Sequence, residues 1–349
     1  MRISSKPRRS THYRPTLKSP VFLVLPVDGA FKKVNFDMKL NSNAVQSLSW
    51  YFKYVGIPLA TLLAMCKLFD CVTKRRRRAL QGKVVVITGA SSGIGEALAH
   101  AFHEQGSKVV LAARRKTELE RVKQDLISKH LSAPTLEPVV LELDLANYED
   151  LGSFVNNVYQ ACGHIDILIN NGGVSHRGSI LDTKMEVDKK IMAINYFGSV
   201  SLTKECLPKM VERKTGHIVF VSSVQGLIAL PERSAYAASK HAMQAFGDSL
   251  RAEMQQYNIN VTVVSPGYIK TAISLNAYTG SGEAHGVMDK STAAGFTPEY
   301  AADKIVDGVC TKKKDLIISQ FVPNLAITLR HTIPSLYHLV MAKRATKTN

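Results

Sequence analysis

From Gln81 onward the chain alternates short β-branched runs with longer stretches of helical periodicity, and this alternation limits its possible folds more than any other feature. The runs are Lys83–Thr88, Lys108–Ala112, Pro138–Leu143, Ile165–Ile169, His217–Ser222, Ile259–Val264 and Leu316–Ile318. They are nearly continuous apolar segments, as strands covered on both faces should be. Between them lie Glu96–Gln105, Lys116–His130, Tyr148–Cys162, Val187–Lys214 and Ser234–Tyr257. Strand, helix and parallel strand in succession require right-handed crossovers. The repetition predicts an α/β fold, a single doubly wound Rossmann domain with a seven-stranded parallel sheet. A chain of 349 residues is long enough to bury its core.

The expected organisation has four parts: a basic, flexible arm over 1–45, an anchor segment with a basic flank over 46–80, the catalytic domain over 81–320, and an apolar C-terminal segment with a basic tail over 321–349. The net charge is +17, and most of it lies in residues 1–80, where the acids are Asp28, Asp37 and Asp70. A basic arm suits nucleic acid or an anionic membrane surface. The neighbouring sequence favours membrane lipid. Trp50–Val72 reads WYFKYVGIPLATLLAMCKLFDCV and runs into Lys74-Arg75-Arg76-Arg77-Arg78. Aromatic residues, an apolar stretch and a basic stop are the marks of an anchored segment. Its charge-free core, Tyr54 to Cys66, is shorter than the ~20 residues that span a bilayer. A spanning anchor and an interfacial helix are both open, with an amphipathic helix packed on the catalytic domain as the plain alternative. Residues 1–20 lack acids, as a mitochondrial presequence does, and this is the weaker reading. Nucleic-acid binding is not expected, because zinc, helix-turn-helix and interleaved aromatic-basic patterns are all missing. The five cysteines show no CxxC spacing, and His217, His241 and His285 show no ligand pattern, so no metal site is expected.

Val84-Val85-Val86-Ile87 leads into Thr88-Gly89-Ala90-Ser91-Ser92-Gly93-Ile94-Gly95, and Glu96 opens a helix. Glycines between a first strand and a helix allow a tight turn and close backbone approach to a pyrophosphate. The helix N-terminus then offers unpaired N–H groups to the phosphates. After the second strand, NAD sites place an acid on the ribose 2′-hydroxyl. Here the sequence is Ala112-Ala113-Arg114-Arg115. Guanidinium suits a 2′-phosphate through bidentate hydrogen bonds, so NADP (NADPH) is expected ahead of NAD.

Tyr236 and Lys240 stand four apart, on one face of a helix, and Ser223 lies thirteen residues before the tyrosine. An unperturbed phenol titrates near 10. A nearby ammonium and a positive nicotinamide ring favour phenolate and are expected to lower that value. Tyr236 is then the proton donor to a carbonyl oxygen, and Ser223 binds the same oxygen. Ser222 is a neighbouring competitor one residue too far from Tyr236.

The GxxxGxG spacing, the Ser-Tyr-Lys order and the strand pattern resemble the short-chain dehydrogenase/reductase family over roughly residues 81–319. The resemblance implies further roles. Asn195 is the fourth catalytic member, bending a helix and supporting a proton relay to Lys240, which also holds the ribose hydroxyls. Asp144 contacts the adenine ring. Asn171, in Asn170-Asn171-Gly172-Gly173, borders the cofactor, with Gly172 where the family has alanine, a minor departure because a smaller residue still fits against the cofactor, with a looser turn left open. Pro266, Gly267 and Thr271 hold the nicotinamide carboxamide. Thr88, Ser91, Ser92 and Ile94 join Gly89, Gly93, Gly95 and Arg114 in the cofactor set. Ser234–Ala242, Leu250–Met254, Ser265–Ile269 and Gly286–Asp289 resemble one branch of the family, whose members carry an N-terminal anchor and associate with the endoplasmic reticulum membrane.

Ala272–Thr297 is a long Gly- and Ser-rich connection, suited to a lid over the substrate. Residues 320–341 are apolar and broken by Pro323 and Pro334; core or a homodimer surface is expected ahead of a second membrane contact. The expected activity is NADP(H)-dependent interconversion of a hydrophobic carbonyl and its alcohol, with a steroid, retinoid, lipid ketone or quinone as candidate substrates. The alternative is a non-catalytic, membrane-associated cofactor-binding or regulatory protein on the same fold.

Overall fold

The computed structural model describes residues 22–27, 30–35, 47, 49–129 and 136–346. The chain divides into two units, Met1–Phe69 and Asp70–Asn349. In the first, β1 (Phe22–Val27) and β2 (Ala30–Asn35) pair antiparallel, with Val27 opposite Ala30. The intervening sequence is Asp28-Gly29, a dipeptide suited to two-residue hairpin turns. The alternation read from Gln81 onward did not reach this hairpin, and the rest of the arm lies outside the described residues. A π-helical turn at Phe52–Gly56 leads into α1 (Ile57–Arg77). Trp50, Tyr51, Phe52, Tyr54, Leu59, Leu62, Leu63 and Met65 are all exposed. Among the described residues, no helix is long and apolar enough to cross a membrane.

The second unit is built on seven parallel strands: β3 (Val84–Thr88), β4 (Lys108–Ala113), β5 (Val139–Glu142), β6 (Ile167–Asn170), β8 (Gly216–Val221), β9 (Ile259–Pro266) and β11 (Asp315–Ile318). Their order is β11-β9-β8-β6-β3-β4-β5. The order reverses between β3 and β6, and in such sheets ligands bind beyond the carboxyl ends of the strands at this switch point. A second short pair, β7 (His176–Arg177) with β10 (Tyr278–Thr279), lies apart from the main sheet.

The strand pattern explains the two cores. Val85 and Ile87 of β3, with Val109 and Leu111 of β4, face one cluster with Leu98 and Phe102 of α2 (Gly93–Glu104), Leu119 and Val122 of α3 (Lys116–Lys129) and Ile305 of α9 (Pro298–Cys310). Val84, Val86, Val110 and Ala112 face the other, with Phe154 and Val158 of α4 (Gly152–Cys162), Leu202 of α6 (Gly198–Glu212) and Met243 of α7 (Ser234–Met254). Both faces of the central strands are therefore apolar because both are covered.

The long helical stretch expected over Val187–Lys214 is broken. A π-helical turn, Ala193–Phe197, separates α5 (Met185–Met192) from α6. The lid connection contains β10 and one short helix, α8 (Lys290–Ala293). The chain closes with α10 (Phe321–Thr332) and α11 (Pro334–Thr346). The expectation of core for this segment is not met, since Pro323 and Tyr337 are the buried residues of these helices.

Candidate active site

A cavity of about 910 Å³ opens at the carboxyl ends of the strands. The turn from β3 to α2 forms its floor. Gly89 and Gly93 have φ of +67° and +60°, the left-handed region where a side chain is strained. A Cβ on Gly95 would overlap the carbonyl oxygen of Gly89 and sit 2.6 Å from Asn171 Nδ2. Ser92 caps α2 by position but makes no side-chain capping bond, so the first N–H groups of the helix are left for a ligand. Glu96, in that first turn, is held by Arg121 at 2.9 Å, which offsets its charge beside the cradle. Thr88, Gly89, Ser91, Ser92, Gly93 and Ile94 all line the cavity. Gly95 lies behind them and shapes the turn.

Thr88 is buried, and its Oγ1 accepts hydrogen bonds from Asn171 N (3.0 Å) and Gly172 N (2.8 Å). Asn171 returns a bond from Nδ2 to Thr88 O at 2.9 Å. These bonds clamp β3 to the turn after β6 across the switch point. At Gly172 a neighbouring side chain takes up the space. An alanine methyl there would meet Leu145 Cδ1 at 2.6 Å, so the Leu145 side chain already fills the place of the missing methyl.

Arg114 and Arg115 follow β4 at the cavity edge, and Arg115 donates to Ser91 Oγ at 3.2 Å. No carboxylate stands at the end of that strand. Asp144 lines the same cavity, its Oδ1 accepting from Ala146 N at 3.0 Å. Pro266, Gly267 and Thr271 line it from the end of β9, with the Thr271 side chain over Gly93. Flat glycine surfaces, uncapped N–H groups and guanidiniums at the far edge fit a dinucleotide phosphate.

Ser223 follows β8, while Tyr236 and Lys240 project from one face of α7. All three line the cavity and are nearly buried. Ser223 Oγ accepts from Gln225 N at 3.1 Å and lies 3.5 Å from Pro266 O, and the hydroxyl favours the charged form of the Tyr236 phenol. Ser222 Oγ instead donates to Lys240 O at 3.1 Å, which separates it from its neighbour's position. Lys240 Nζ donates to Val221 O at 2.9 Å. Burial drives its pKa down to about 8. Asn195 sits fully buried in the π-helical turn behind the cavity wall. Its Oδ1 accepts from Val174 N at 2.8 Å and its Nδ2 donates to Val174 O at 2.9 Å. Nδ2 also donates to Ser239 Oγ at 2.9 Å, coupling the turn to α7.

The expected lowering of the Tyr236 phenol depends in part on a positive nicotinamide ring, and the protein by itself acts in the opposite direction. Burial raises the Tyr236 phenol above its ordinary value, because desolvation penalises phenolate. The groups acting the other way are Ser223, Arg177 and Arg233. Lys240 Nζ lies 5.8 Å from the Tyr236 ring centre. Sequence reasoning missed the two arginines, which are remote in the chain and belong to no motif. Asp289, on the lid, accepts from Arg177 Nη2 at 2.6 Å and Arg233 Nη2 at 3.2 Å. The pattern Gly286-Val287-Met288-Asp289 was the available signal for Asp289. Elsewhere, Glu96, His100 and Asp125 converge on the surface, where Arg121 and Lys129 already pair with the carboxylates. His217 is buried against Thr262 Oγ1 at 2.8 Å, and burial lowers its pKa to about 4, a structural role.

A doubly wound sheet with a glycine cradle at its switch point and a Ser-Tyr-Lys face beside it defines a nucleotide-dependent oxidoreductase. The short chain dehydrogenase family model matches residues 83–281. The dehydrogenase/reductase SDR family protein 7-like of Anopheles gambiae is 53% identical over 86% of this chain and 95% of its own length. Dehydrogenase/reductase SDR family member 7B of Mus musculus is 47% identical over 82% of this chain and 88% of its own. A metagenomic short-chain oxidoreductase solved in complex with NADP superposes with a TM-score of 0.57 at 26% identity, over 69% of this chain and 97% of that one. The chain belongs to the short-chain dehydrogenase/reductase family.

Proposed function

We propose that this chain is an NADP(H)-dependent oxidoreductase that interconverts a hydrophobic carbonyl and its alcohol at the endoplasmic reticulum membrane. The observation that carries the reading is the Ser223–Tyr236–Lys240 face, which shares one cavity with the glycine cradle of α2. A bound NADPH supplies the hydride. Tyr236 gives its proton to the carbonyl oxygen, and Ser223 holds that oxygen by a hydrogen bond. A phenol is protonated at neutral pH, and burial, by penalising phenolate, makes that proton harder to give up. Arg177 and Arg233 ease the negative charge left on the phenol oxygen. Lys240, on the same helix face with Nζ 5.8 Å from the Tyr236 ring centre, is the ammonium assigned to reprotonation. Asn195 holds the π-helical turn against α7 and so positions the wall behind them.

Arg114 and Arg115, with no acid at the end of β4, support NADP(H) over NAD. The apolar wall from Val322, Leu325, Leu329, Val340 and Met341 supports a hydrophobic substrate. Exposed Trp50, Tyr51, Phe52 and Tyr54, followed by exposed Leu62 and Leu63 and the Lys74–Arg78 run, support attachment at the membrane interface. The endoplasmic reticulum is the compartment implied by the family branch.

The test is NADPH oxidation by the purified full chain across lipid-soluble ketones, aldehydes and quinones, alongside Tyr236→Phe. Turnover with at least one carbonyl, reduced about 10²-fold or more in Tyr236→Phe with NADPH binding retained, is the expected result. Undiminished turnover in the variant, or NADPH binding without turnover of any carbonyl, would sink the catalytic reading.

A further inference from the structure

The helices that close the chain have two sides, and catalysis uses one of them. Val322, Leu325, Leu329, Val340 and Met341 face the cavity. The helical pair is fastened in place. Tyr337 Oη donates to Ala229 O at 2.8 Å and accepts from Ala229 N at 3.2 Å. Gln320 Nε2 donates to Tyr268 O at 3.0 Å. Arg330 lies 3.3 Å from His338 Nε2 and 5.3 Å over the Tyr337 ring, joining α10 to α11. A segment held this way is a wall, not a fraying tail.

Its other side is apolar and open to solvent. Phe321 is 77% exposed, Ile333 51% and Leu339 53%, and none of them lines the cavity. Leu336, Leu339, Val340 and Lys343 recur at i, i+3, i+4 and i+7, one stripe along α11. Val322, Leu325 and Val340 are both exposed and cavity-lining, so the cavity reaches the surface beside this stripe. An apolar stripe next to a ligand mouth needs a cover. The charge says which cover. Lys343 lies on this stripe, while Arg330 stacks over Tyr337 and Arg344 lines the cavity, and from Phe321 onward the sequence contains no Asp or Glu. A second copy docked through the same face would bring like charges together. An anionic lipid surface complements both the apolar and the basic residues.

We propose that the outer face of α10 and α11 rests on an anionic lipid surface, with the cavity mouth beside it. A hydrophobic ligand then reaches Tyr236 from lipid instead of from water. The docking face stands independently of the proposed chemistry; only the route of the ligand rests on that reading.

Trp50 is the single tryptophan of the chain, so the full chain in a Trp50→Phe background accepts one reporter. Leu339→Trp and, as a second reporter, Leu336→Trp are mixed with brominated phosphatidylcholine vesicles, with and without phosphatidylserine. Lys129→Trp, an exposed position on α3, is the control. The expected result is a blue shift and bromolipid quenching for both hairpin reporters, stronger with phosphatidylserine and weakened by added Lys343→Glu, with the control unchanged. No shift or quenching at either hairpin reporter overturns the proposal, even if native Trp50 in the parent protein is quenched. So does a blue shift that follows protein concentration without lipid, which would place a second copy on this face. NADPH binding by the same variants checks their fold. Loss of turnover with every carbonyl would remove the hydrophobic-substrate reading and leave the quenching result standing.

Discussion

Gly95→Ala tests the cradle at its tightest point. The new Cβ would overlap Gly89 O and sit 2.8 Å from Gly89 C and 2.6 Å from Asn171 Nδ2. The nearest obstacle is backbone, which cannot swing aside as a side chain can. The turn and the first residues of α2 must separate by on the order of 1 Å, in a region packed to crystal density. Such overpacking typically costs about 1–3 kcal/mol. The displaced groups are also the ones that would meet the phosphates. At about 1.4 kcal/mol per tenfold, a loss near 2 kcal/mol raises the NADPH Kd roughly 10- to 100-fold. At about 2–4 °C per kcal/mol for a domain of this size, the midpoint of thermal unfolding falls by about 4–8 °C. The assay is NADPH fluorescence titration with thermal unfolding in the presence and absence of coenzyme. Gly163→Ala is the control. Gly163 closes α4 at φ +76° with no atom within 4 Å of a new Cβ, so its substitution costs about 1 kcal/mol through backbone strain alone. Its NADPH affinity should match that of the parent chain. The reasoning is refuted if Gly95→Ala binds NADPH like the parent with an unchanged midpoint, or if Gly163→Ala loses coenzyme equally.

Arg114→Asp should shift coenzyme preference from NADPH toward NADH in steady-state kinetics; an unchanged preference would mean that Arg114 does not meet a 2′-phosphate. Lys240→Met should abolish turnover yet raise stability at pH 7 by on the order of 2 kcal/mol in urea unfolding, because the parent buries an ammonium. The sign is fixed by linkage. With a folded pKa of about 8 and an unfolded value near 10.5, the parent gains stability as pH rises from 8 to 10.5, and the variant's advantage should shrink over that window. Asp289→Asn leaves the nearly buried guanidiniums of Arg177 and Arg233 without a counter-charge. Stability should fall by about 2 kcal/mol, with KM rising more than kcat falls, since the Asp289 segment loses its fastening to β7 and the start of α7.

The strand runs were legible because burial on both faces removes polar residues from every position, as in Val84–Ile87. The cradle was legible because backbone conformation and close approach admit only glycine there. Their joint position was not, since Thr88 meets Asn171 only after β3 and β6 become neighbours. The break at Ala193–Phe197 was hidden because both flanking segments keep helical periodicity. Arg177, Arg233 and Asp289 were unreadable as a cluster, being joined only when Asp289 meets β7 and the start of α7 in the folded chain. The C-terminal segment misled in a different way. Its apolar residues look like core, but hydrophobicity does not say whether a side chain faces protein, a cavity or an absent partner.

By itself, the sequence determined the class of sheet, the glycine turn after the first strand and the Ser-Tyr-Lys spacing that the fold brings to one cavity. Each depends on local periodicity or on a residue type that no other can replace. Tertiary structure alone decided the electrostatics. The depth at which Tyr236 and Lys240 are buried, and the charges that converge on them, depend on packing between distant segments. Burial therefore works against the phenolate that the sequence reading expected to be favoured, with Ser223, Arg177 and Arg233 acting the other way.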